Sequence, residues 1–239
     1  RESKTDKPRH IVLTDEGTAV LGHAERMEEE ALAFQRQLTG QEKQLDGMLR
    51  ITSSDWFGEY VLTPILAEFS KRYPRVVVEL LTDSRFFSLS RREADLAFRI
   101  RPFDEPDVVS PKLLRMPYGV YVAADHPVPR AGDGAGLGLV TMDTAFGGMP
   151  DVAWLQRLLP NAHVAFRSNA RAIQAQMCAR GAGVAVLPRP LGDAAGGLQR
   201  IDLGEEPPVR ETWIGYHRDM RRLARLRALL DLVVAQLAD

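Results

Sequence analysis

Residues 47–82 contain strand, helix and strand patterns in an order that restricts how the chain can fold. Residues 49–52 (LRIT) predict a short strand, and residues 53–55 are small polar residues of the kind that begin helices. Residues 76–81 (VVVELL) form a nearly continuous apolar run, as expected for a strand covered on both faces. Between the strands, apolar residues recur at helical spacing at Tyr60, Leu62, Ile65, Leu66 and Phe69. The segment therefore predicts a β-α-β unit.

The start of this predicted helix is a candidate binding position. In a β-α-β unit the free N–H groups of the helix start lie beyond the carboxyl end of the strand, where an anionic or polar small molecule can be held. Ser53 and Ser54 add hydroxyl groups at this point, and Asp55 adds a carboxylate. The alternative is that Ser54 or Asp55 only caps its own helix, and these residues alone leave both interpretations open.

The composition restricts the class of protein. At 239 residues the chain can form one large domain or two small ones, and a formal net charge of −1 argues against a protein whose whole surface binds nucleic acid. No apolar run approaches the roughly 20 residues of a membrane helix, and no signal peptide opens the sequence. The single cysteine, Cys178, excludes an internal disulfide. Together these features predict a cytoplasmic protein without a membrane partner.

A long helix is predicted upstream of the β-α-β unit, over residues 14–39. Thr14 supplies a capping hydroxyl group, and Gly40 ends the pattern before a polar linker. Apolar residues follow at alternating spacings of four and three residues, at Val20, Ala24, Met27, Ala31, Phe34 and Leu38. Such a narrow heptad seam predicts packing against a partner helix, with a one-sided surface helix as the alternative.

The C-terminal half contains a second strand-helix-strand pattern. Residues 162–167 and 184–187 predict strands, and residues 170–180 predict the helix between them. Ser168 and Asn169 are the predicted cap of this helix. The two halves therefore repeat one layout, each with hydroxyl or amide groups at a helix start.

Five motifs follow one another along the chain, and their combined order is more specific than any one of them. They are LTDEGTAVL at the start of the long helix, LRITSSD, VLTPILAEFSKRYPRVVVEL, ADLAFRI and GAGVAVLP. This set resembles the LysR-type transcriptional regulators, and the resemblance covers nearly the whole chain. It implies an α/β fold, with a long linker helix before a two-lobed effector domain similar to the type 2 periplasmic binding proteins.

The resemblance also implies a division of the chain. Residues 1–13 would be the last part of a DNA-binding wing, residues 14–45 the linker and dimerisation helix, and residues 46–239 the effector-binding domain. Lobe I would contain residues 46–115 and 213–239, and lobe II residues 116–212. The recognition helix of such regulators would precede Arg1, so we expect this sequence to sense and dimerise rather than to read DNA.

The partners that the resemblance implies are a second copy of the chain, as homodimer or homotetramer, a small-molecule effector, and promoter DNA for the intact protein. The effector would lie between the lobes. The matching positions are Thr52, Ser53, Ser54, Asp55, Trp56, Arg99, Arg101, Ser168 and Asn169, and Phe146 is added because it lies on a predicted loop of lobe II. Trp56 favours a ligand with a flat or apolar body, and its alternative role is core packing.

Arg99 and Arg101 are the predicted partners of an effector carboxylate, because a guanidinium group matches a carboxylate with two parallel hydrogen bonds. Alternation along a strand would direct both side chains to the same face. The alternative is that one or both form ion pairs with nearby acids, for which Asp95, Asp104 and Glu105 are the candidates.

Signals for catalysis are weak. The histidines are scattered without metal-ligand spacing, at His10, His23, His126, His163 and His217. Cys178 lies within a predicted helix and is interpreted as a buried structural thiol. The glycine-rich residues 132–138 lack the following helix and the lysine-serine pair of a phosphate loop. The sequence therefore predicts no enzyme, no metal and no cofactor. The alternative function is a solute-binding module of a transport system, which shares the two-lobed design.

Overall fold

The computed structural model describes residues 45–82, 88–129 and 132–238, and it also describes Thr14, Gly17, Val20, Leu21, Ala24, Met27, Glu28 and Ala31. In chain order, the strands are β1 (Gly47–Ser53), β2 (Val76–Thr82), β3 (Leu96–Arg99), β4 (Val108–Val109), β5 (Lys112–Met116), β6 (Tyr118–Ala123), β7 (Gly138–Thr141), β8 (His163–Arg167), β9 (Val184–Pro188), β10 (Leu198–Ile201) and β11 (Arg210–His217). The helices are α1 (Asp55–Phe57), α2 (Thr63–Arg72), α3 (Pro150–Leu158), α4 (Arg171–Ala179), α5 (Arg189–Ala194) and α6 (Ala224–Leu237).

The first sheet confirms the predicted β-α-β unit. Its strand order is β2-β1-β3-β11-β4, and β5 also pairs with β11. Strand β1 is parallel to both β2 and β3, so that Thr52 lies opposite Leu81 on one side and Ala97 on the other. Strand β11 is antiparallel to β3 and β5. The carboxyl ends of three parallel strands therefore meet at one edge of this sheet.

The helix after β1 is not the single continuous helix that the periodicity predicts. A π-helical turn, Gly58–Leu62, joins α1 to α2. Gly58 lies against the sheet, since a Cβ atom there would be 2.9 Å from Thr82 Cγ2 and 3.1 Å from Ser53 Oγ. The absent side chain allows the first helical turn to approach β1 and β2 closely. Such π-turns often mark functional sites.

The second sheet has the strand order β10-β6-β9-β7-β8. Strand β7 is parallel to β8 and β9, whereas β6 is antiparallel to β9 and β10. The predicted second unit is present as β8, α4 and β9. Its helix begins at Arg171 with Ala170 at the cap position, and the structure shows no side-chain hydrogen bond at that cap. The prediction of a cap at Ser168 and Asn169 was therefore wrong by one residue.

The chain passes between the two sheets twice. Strand β5 ends in the first sheet at Met116, and β6 begins in the second sheet at Tyr118. The chain returns at Arg210, which opens β11 and pairs with Met116. The predicted lobe boundaries stay a prediction, because sheet membership alone does not define which residues move together.

The described positions of the upstream helix are helical from Gly17 to Ala31. The amide of Gly17 donates to Thr14 Oγ1 at 3.1 Å, as expected for a capping hydroxyl group. In the seam, Val20 is 66% exposed and Met27 is 74% exposed. Phe34 and Leu38, like residues 1–13, lie outside the described residues. No described helix is long and apolar enough to cross a membrane.

Replacing Met27 with aspartate is expected to weaken self-association at least tenfold, because it places a charge in an apolar seam that excludes charge from its core. Analytical ultracentrifugation over a concentration series measures the effect. The matched control is Glu28→Asp, which keeps a charge at the neighbouring position. Identical sedimentation of the two variants and the original chain would show that the seam does not pair.

Candidate functional site

A cavity of about 580 Å³ lies at the edge where β1 and β3 end and includes residues from both sheets. Its volume is in the range of small-molecule binding sites. Nine of the predicted positions line it: Thr52, Ser53, Ser54, Asp55, Trp56, Arg99, Arg101, Phe146 and Asn169. Ser168 does not line it. Instead, Ser168 Oγ accepts a hydrogen bond from the amide of Ala170 at 3.1 Å.

The residues at the end of β1 and at the helix start that follows line this cavity. Thr52 and Ser53 are buried, and Ser53 Oγ donates to the carbonyl of Ser54 at 3.0 Å. Ser54 occupies the cap position of α1, but its side chain makes no capping hydrogen bond. The structure therefore gives no support to the simple capping role for Ser54, and this residue lines the cavity.

The position of Trp56 is compatible with both roles that the sequence left open, which are contact with a ligand and packing in the core. It is buried in the core, and its ring packs edge to face against Phe57 with 5.5 Å between centroids. Phe57 in turn packs against Phe98 at 5.5 Å. All three rings also line the cavity, together with Met142. One wall of the cavity is therefore apolar and aromatic.

Arg99 and Arg101 differ in their surroundings. Strand β3 ends at Arg99, so the alternation that was expected to align the two side chains does not extend to Arg101. The Arg99 guanidinium group lies 4.3 Å from the ring centroid of Phe103. Burial lowers the pKa of Arg99, and the negative charge of Glu105 opposes that shift. Arg101 is exposed and forms no ion pair with any residue that the structure describes.

A buried ionic cluster that was not predicted from the sequence borders the cavity. Asp151, which is only 2% exposed, lies between two arginines of 4% and 8% exposure, Arg171 and Arg210. Arg171 Nη2 donates to Asp151 Oδ2 at 2.8 Å, and Arg210 Nη2 pairs with the other carboxylate oxygen. Both guanidinium groups lie over the ring of Tyr118, at 5.5 and 5.2 Å from its centroid.

The hydrogen-bond donors of the two arginines in the cluster differ in how many of them have partners. Arg171 Nη1 donates to Gln174 Oε1 at 3.0 Å and to the carbonyl of Val186 at 2.8 Å. Arg210 Nη1 contacts Met149 Sδ at 3.0 Å, a weak acceptor. Among the described residues, Arg210 Nε is a buried donor without a hydrogen-bond partner. Among the described residues, Arg210 thus has fewer hydrogen-bond partners than Arg171.

Burial lowers the pKa of Arg210, and the positive charge of Arg101 lowers it further. Burial also lowers the pKa of Arg171, while its electrostatic interactions with Tyr118 and Asp55 act in the opposite direction. Both guanidinium groups remain protonated, because an arginine does not lose its proton in a protein. Arg101 and Arg210 line the same cavity.

One sequence signal could have identified Arg210. Along β11, buried and exposed residues alternate at the start of the strand, and Arg210 shares the buried parity of Thr212 and Ile214. An arginine on the buried face of a strand requires a partner charge. Asp151 gives no comparable signal, because an acid in the first turn of a helix is ordinary.

A family model described as the LysR substrate binding domain matches residues 42–238. The chain belongs to the LysR family. The HTH-type transcriptional regulator PtxR of Pseudomonas aeruginosa is 37% identical over 99 residues, which cover 40% of this chain and 31% of PtxR. CrgA of Neisseria meningitidis is 24% identical over 245 residues, which cover 97% of this chain and 81% of CrgA.

The solved structure of the CrgA regulatory domain has a TM-score of 0.70 to this LysR-type chain, with 24% identity, and the match covers 81% of this chain and all of that domain. This likeness establishes the type 2 periplasmic-binding-protein fold. LysR-type regulators are DNA-binding, oligomeric proteins, and the relatives are named as regulators rather than enzymes. In the described part of this LysR-type chain, no three His, Cys, Asp or Glu side chains are grouped to hold a metal ion.

Proposed function

We propose that this LysR-type effector domain senses a small anionic metabolite, a carboxylate, in the cavity. The observation that carries the proposal is the charge of the lining. Among the described residues that line it are four arginines and one carboxylate, Arg99, Arg101, Arg171 and Arg210 against Asp55. The buried Asp151 neutralises part of this positive charge, and an excess remains. A cavity with excess positive charge attracts and retains an anion, especially where water is partly excluded.

The apolar wall indicates the rest of the ligand. Trp56, Phe57 and Phe98 line the cavity on the side of the first sheet, and Met142 and Phe146 line it on the side of the second. Rings and thioether groups bind the flat or aliphatic body of a ligand, while the guanidinium groups bind its acid. The proposed effector is therefore an amphipathic carboxylate, aromatic or branched aliphatic, rather than a sugar or a polyamine.

Both sheets contribute residues to the lining of the cavity. A ligand can therefore favour one relative position of the two sheets over another. Such a ligand shifts the equilibrium by its difference in affinity for the two arrangements. We propose that this shift is transmitted through paired linker helices, whose exposed seam supports pairing, to DNA-binding heads of the intact dimer or tetramer on promoter DNA. The regulated promoter responds because the spacing of the heads changes.

A thermal-shift screen with matched pairs tests the proposed function. Each carboxylic acid is compared with its neutral amide, so that shape is held constant while charge changes. An acid at 100 times its dissociation constant is expected to stabilise the domain by about 2.7 kcal/mol, which raises the melting temperature by about 5–10 °C for a chain of this length. Equal shifts from acids and amides, or no shift from any acid, would contradict the proposal.

A further inference from the structure

A groove between α2 and α6 has charged walls and lies outside the cavity. Helices α2 and α6 contact each other, and the groove of about 360 Å³ shares no described residue with the lining of the cavity. Arg72 at the end of α2 and Arg227 near the start of α6 line the groove, together with Asp231. Two guanidinium groups against one carboxylate give this groove an excess of positive charge.

The segment that leads into α6 adds to this charge. Residues 218–227 contain five arginines and one acid. The acid, Asp219, has its carboxylate 3.5 Å from Arg92 Nη2, so it pairs with an arginine outside the segment. Arg221 and Arg222 end the 3-10 turn of the segment, next to the start of α6. These two arginines therefore extend the positive charge beyond the groove itself.

Four exposed arginines, Arg72, Arg221, Arg222 and Arg227, form what we call the basic surface. None of the four forms an ion pair with a residue that the structure describes. The guanidinium group of Arg72 lies 5.6 Å from the ring centroid of Tyr73, a contact that occupies none of its N–H donors. Charges of one sign on one surface repel each other, and a bound polyanion relieves that repulsion.

The composition of the groove favours nucleic acid over an acidic protein as this polyanion. Interfaces between proteins have an apolar core, whereas interfaces with DNA are polar and strongly positive. Of the large hydrophobic side chains that are exposed in the described part of the chain, none lines the groove. A guanidinium group also matches the geometry of a phosphate with two parallel hydrogen bonds. The chain belongs to a family of DNA-binding regulators, so duplex DNA is a polyanion that its intact form meets.

We propose that the basic surface binds the sugar-phosphate backbone of duplex DNA. This contact lies outside the cavity and is additional to the DNA-binding heads of the intact protein, so it does not depend on the proposed effector. Because phosphate groups are the same in every sequence, the contact adds affinity without base specificity. DNA that flanks a promoter site and reaches the basic surface is therefore held by the effector domain as well as by the heads.

The salt dependence of DNA binding tests this proposal. Fluorescence anisotropy of labelled duplexes of two unrelated sequences is measured with the original chain at sodium chloride concentrations from about 50 to 200 mM. We expect equal affinity for the two sequences, and a plot of log K against log salt concentration with a slope of about −3 to −4, because each neutralised phosphate contributes about −0.9. Arg222→Gln and Arg227→Gln should each make the slope shallower by about 0.9 and weaken binding about 5- to 10-fold at the lowest salt concentration.

Arg180→Gln is the matched control, because Arg180 is an exposed arginine after α4 and lines neither the groove nor the cavity. This variant should keep the slope and the affinity of the original chain. Equal losses in all three variants would indicate a general attraction by net charge, and the basic surface would be wrong. Binding that no variant changes would place the DNA contact elsewhere in the chain, for example in the basic residues 1–13, and would also contradict the proposal.

Polyglutamate distinguishes DNA from an acidic protein. A polyglutamate chain with the same number of charges as the duplex should bind more weakly than DNA, since its carboxylates are spaced along a flexible chain that loses entropy on binding. Tighter binding of polyglutamate than of DNA, with the same losses in Arg222→Gln and Arg227→Gln, would assign the basic surface to an acidic protein and contradict the DNA contact. The absence of any DNA binding at the lowest salt concentration would contradict it as well.

Discussion

Replacing Asp151 with asparagine should lower the free energy of unfolding by about 3–5 kcal/mol, which is the usual cost of removing one partner from a buried ion pair. The carboxylate is the shared counter-charge of Arg171 and Arg210, and all three side chains are buried. Asparagine has the same shape and can still accept a hydrogen bond. The decrease in the free energy of unfolding therefore measures the effect of removing the negative charge that neutralises the two buried guanidinium groups.

Urea unfolding followed by circular dichroism provides the measurement. The matched control is Asp125→Asn, which makes the same change at an exposed position and should alter stability by less than about 0.5 kcal/mol. The double variant Asp151→Asn with Arg210→Met should recover part of the loss, because one of the two uncompensated cations has been removed. A single variant as stable as the control would show that the cluster contributes no net electrostatic stability.

Cys178 should be almost unreactive towards a thiol reagent in the folded protein. Its side chain is fully buried, and burial raises the pKa of the thiol to about 12 from an ordinary value of 9.0. The Sγ atom lies 3.2 Å from the carbonyl of Tyr121 and 3.1 Å from that of Gly183, where the thiol proton is held. At pH 8 the thiolate fraction is therefore about 1000-fold smaller than that of a thiol with the ordinary pKa. The lack of solvent access lowers the labelling rate further.

Labelling with a chromogenic disulfide reagent measures this rate, and unfolding in guanidinium chloride should restore full reactivity. The raised pKa also fixes the sign of a pH effect. The folded state keeps the proton that the unfolded state loses, so this contribution to stability is complete below about pH 9 and declines as the pH rises towards 12. Cys178→Ala should flatten that decline. Rapid labelling of the folded chain at pH 8 would contradict the buried-thiol assignment.

Local patterns were enough to predict much of the fold. The run at residues 76–81, the helical spacing after Asp55 and the repeat in the C-terminal half predicted strands and helices that the structure contains. Hydrophobic periodicity is a local consequence of burial on one face, so it can be seen in one sequence. The π-turn at Gly58–Leu62 was not predicted. Its Gly58 lies close to Thr82, which belongs to a strand later in the chain, and local spacing carries no information about such a contact.

One part of the candidate site was likewise predicted from the sequence, and another part was not. The polar residues at the end of β1 and the arginines at the end of β3 were predicted to lie close together, because the ends of neighbouring parallel strands meet at one edge of a sheet. Their binding role stays a prediction. Asp151, Arg171 and Arg210 come from α3, α4 and β11, and the sequence gives no sign that these three elements converge.

The amino-acid sequence by itself determined the α/β architecture, the apolar spacing of the upstream helix and the sheet edge at which the cavity lies, since each follows from spacing along the chain. The tertiary structure alone decided which charges meet. Asp151 and Arg210 are 59 positions apart by number and become ion-pair partners only where the chain returns from the second sheet to the first. Coulomb energy depends on distance in space and on burial, and neither quantity can be read from the order of the residues in the sequence.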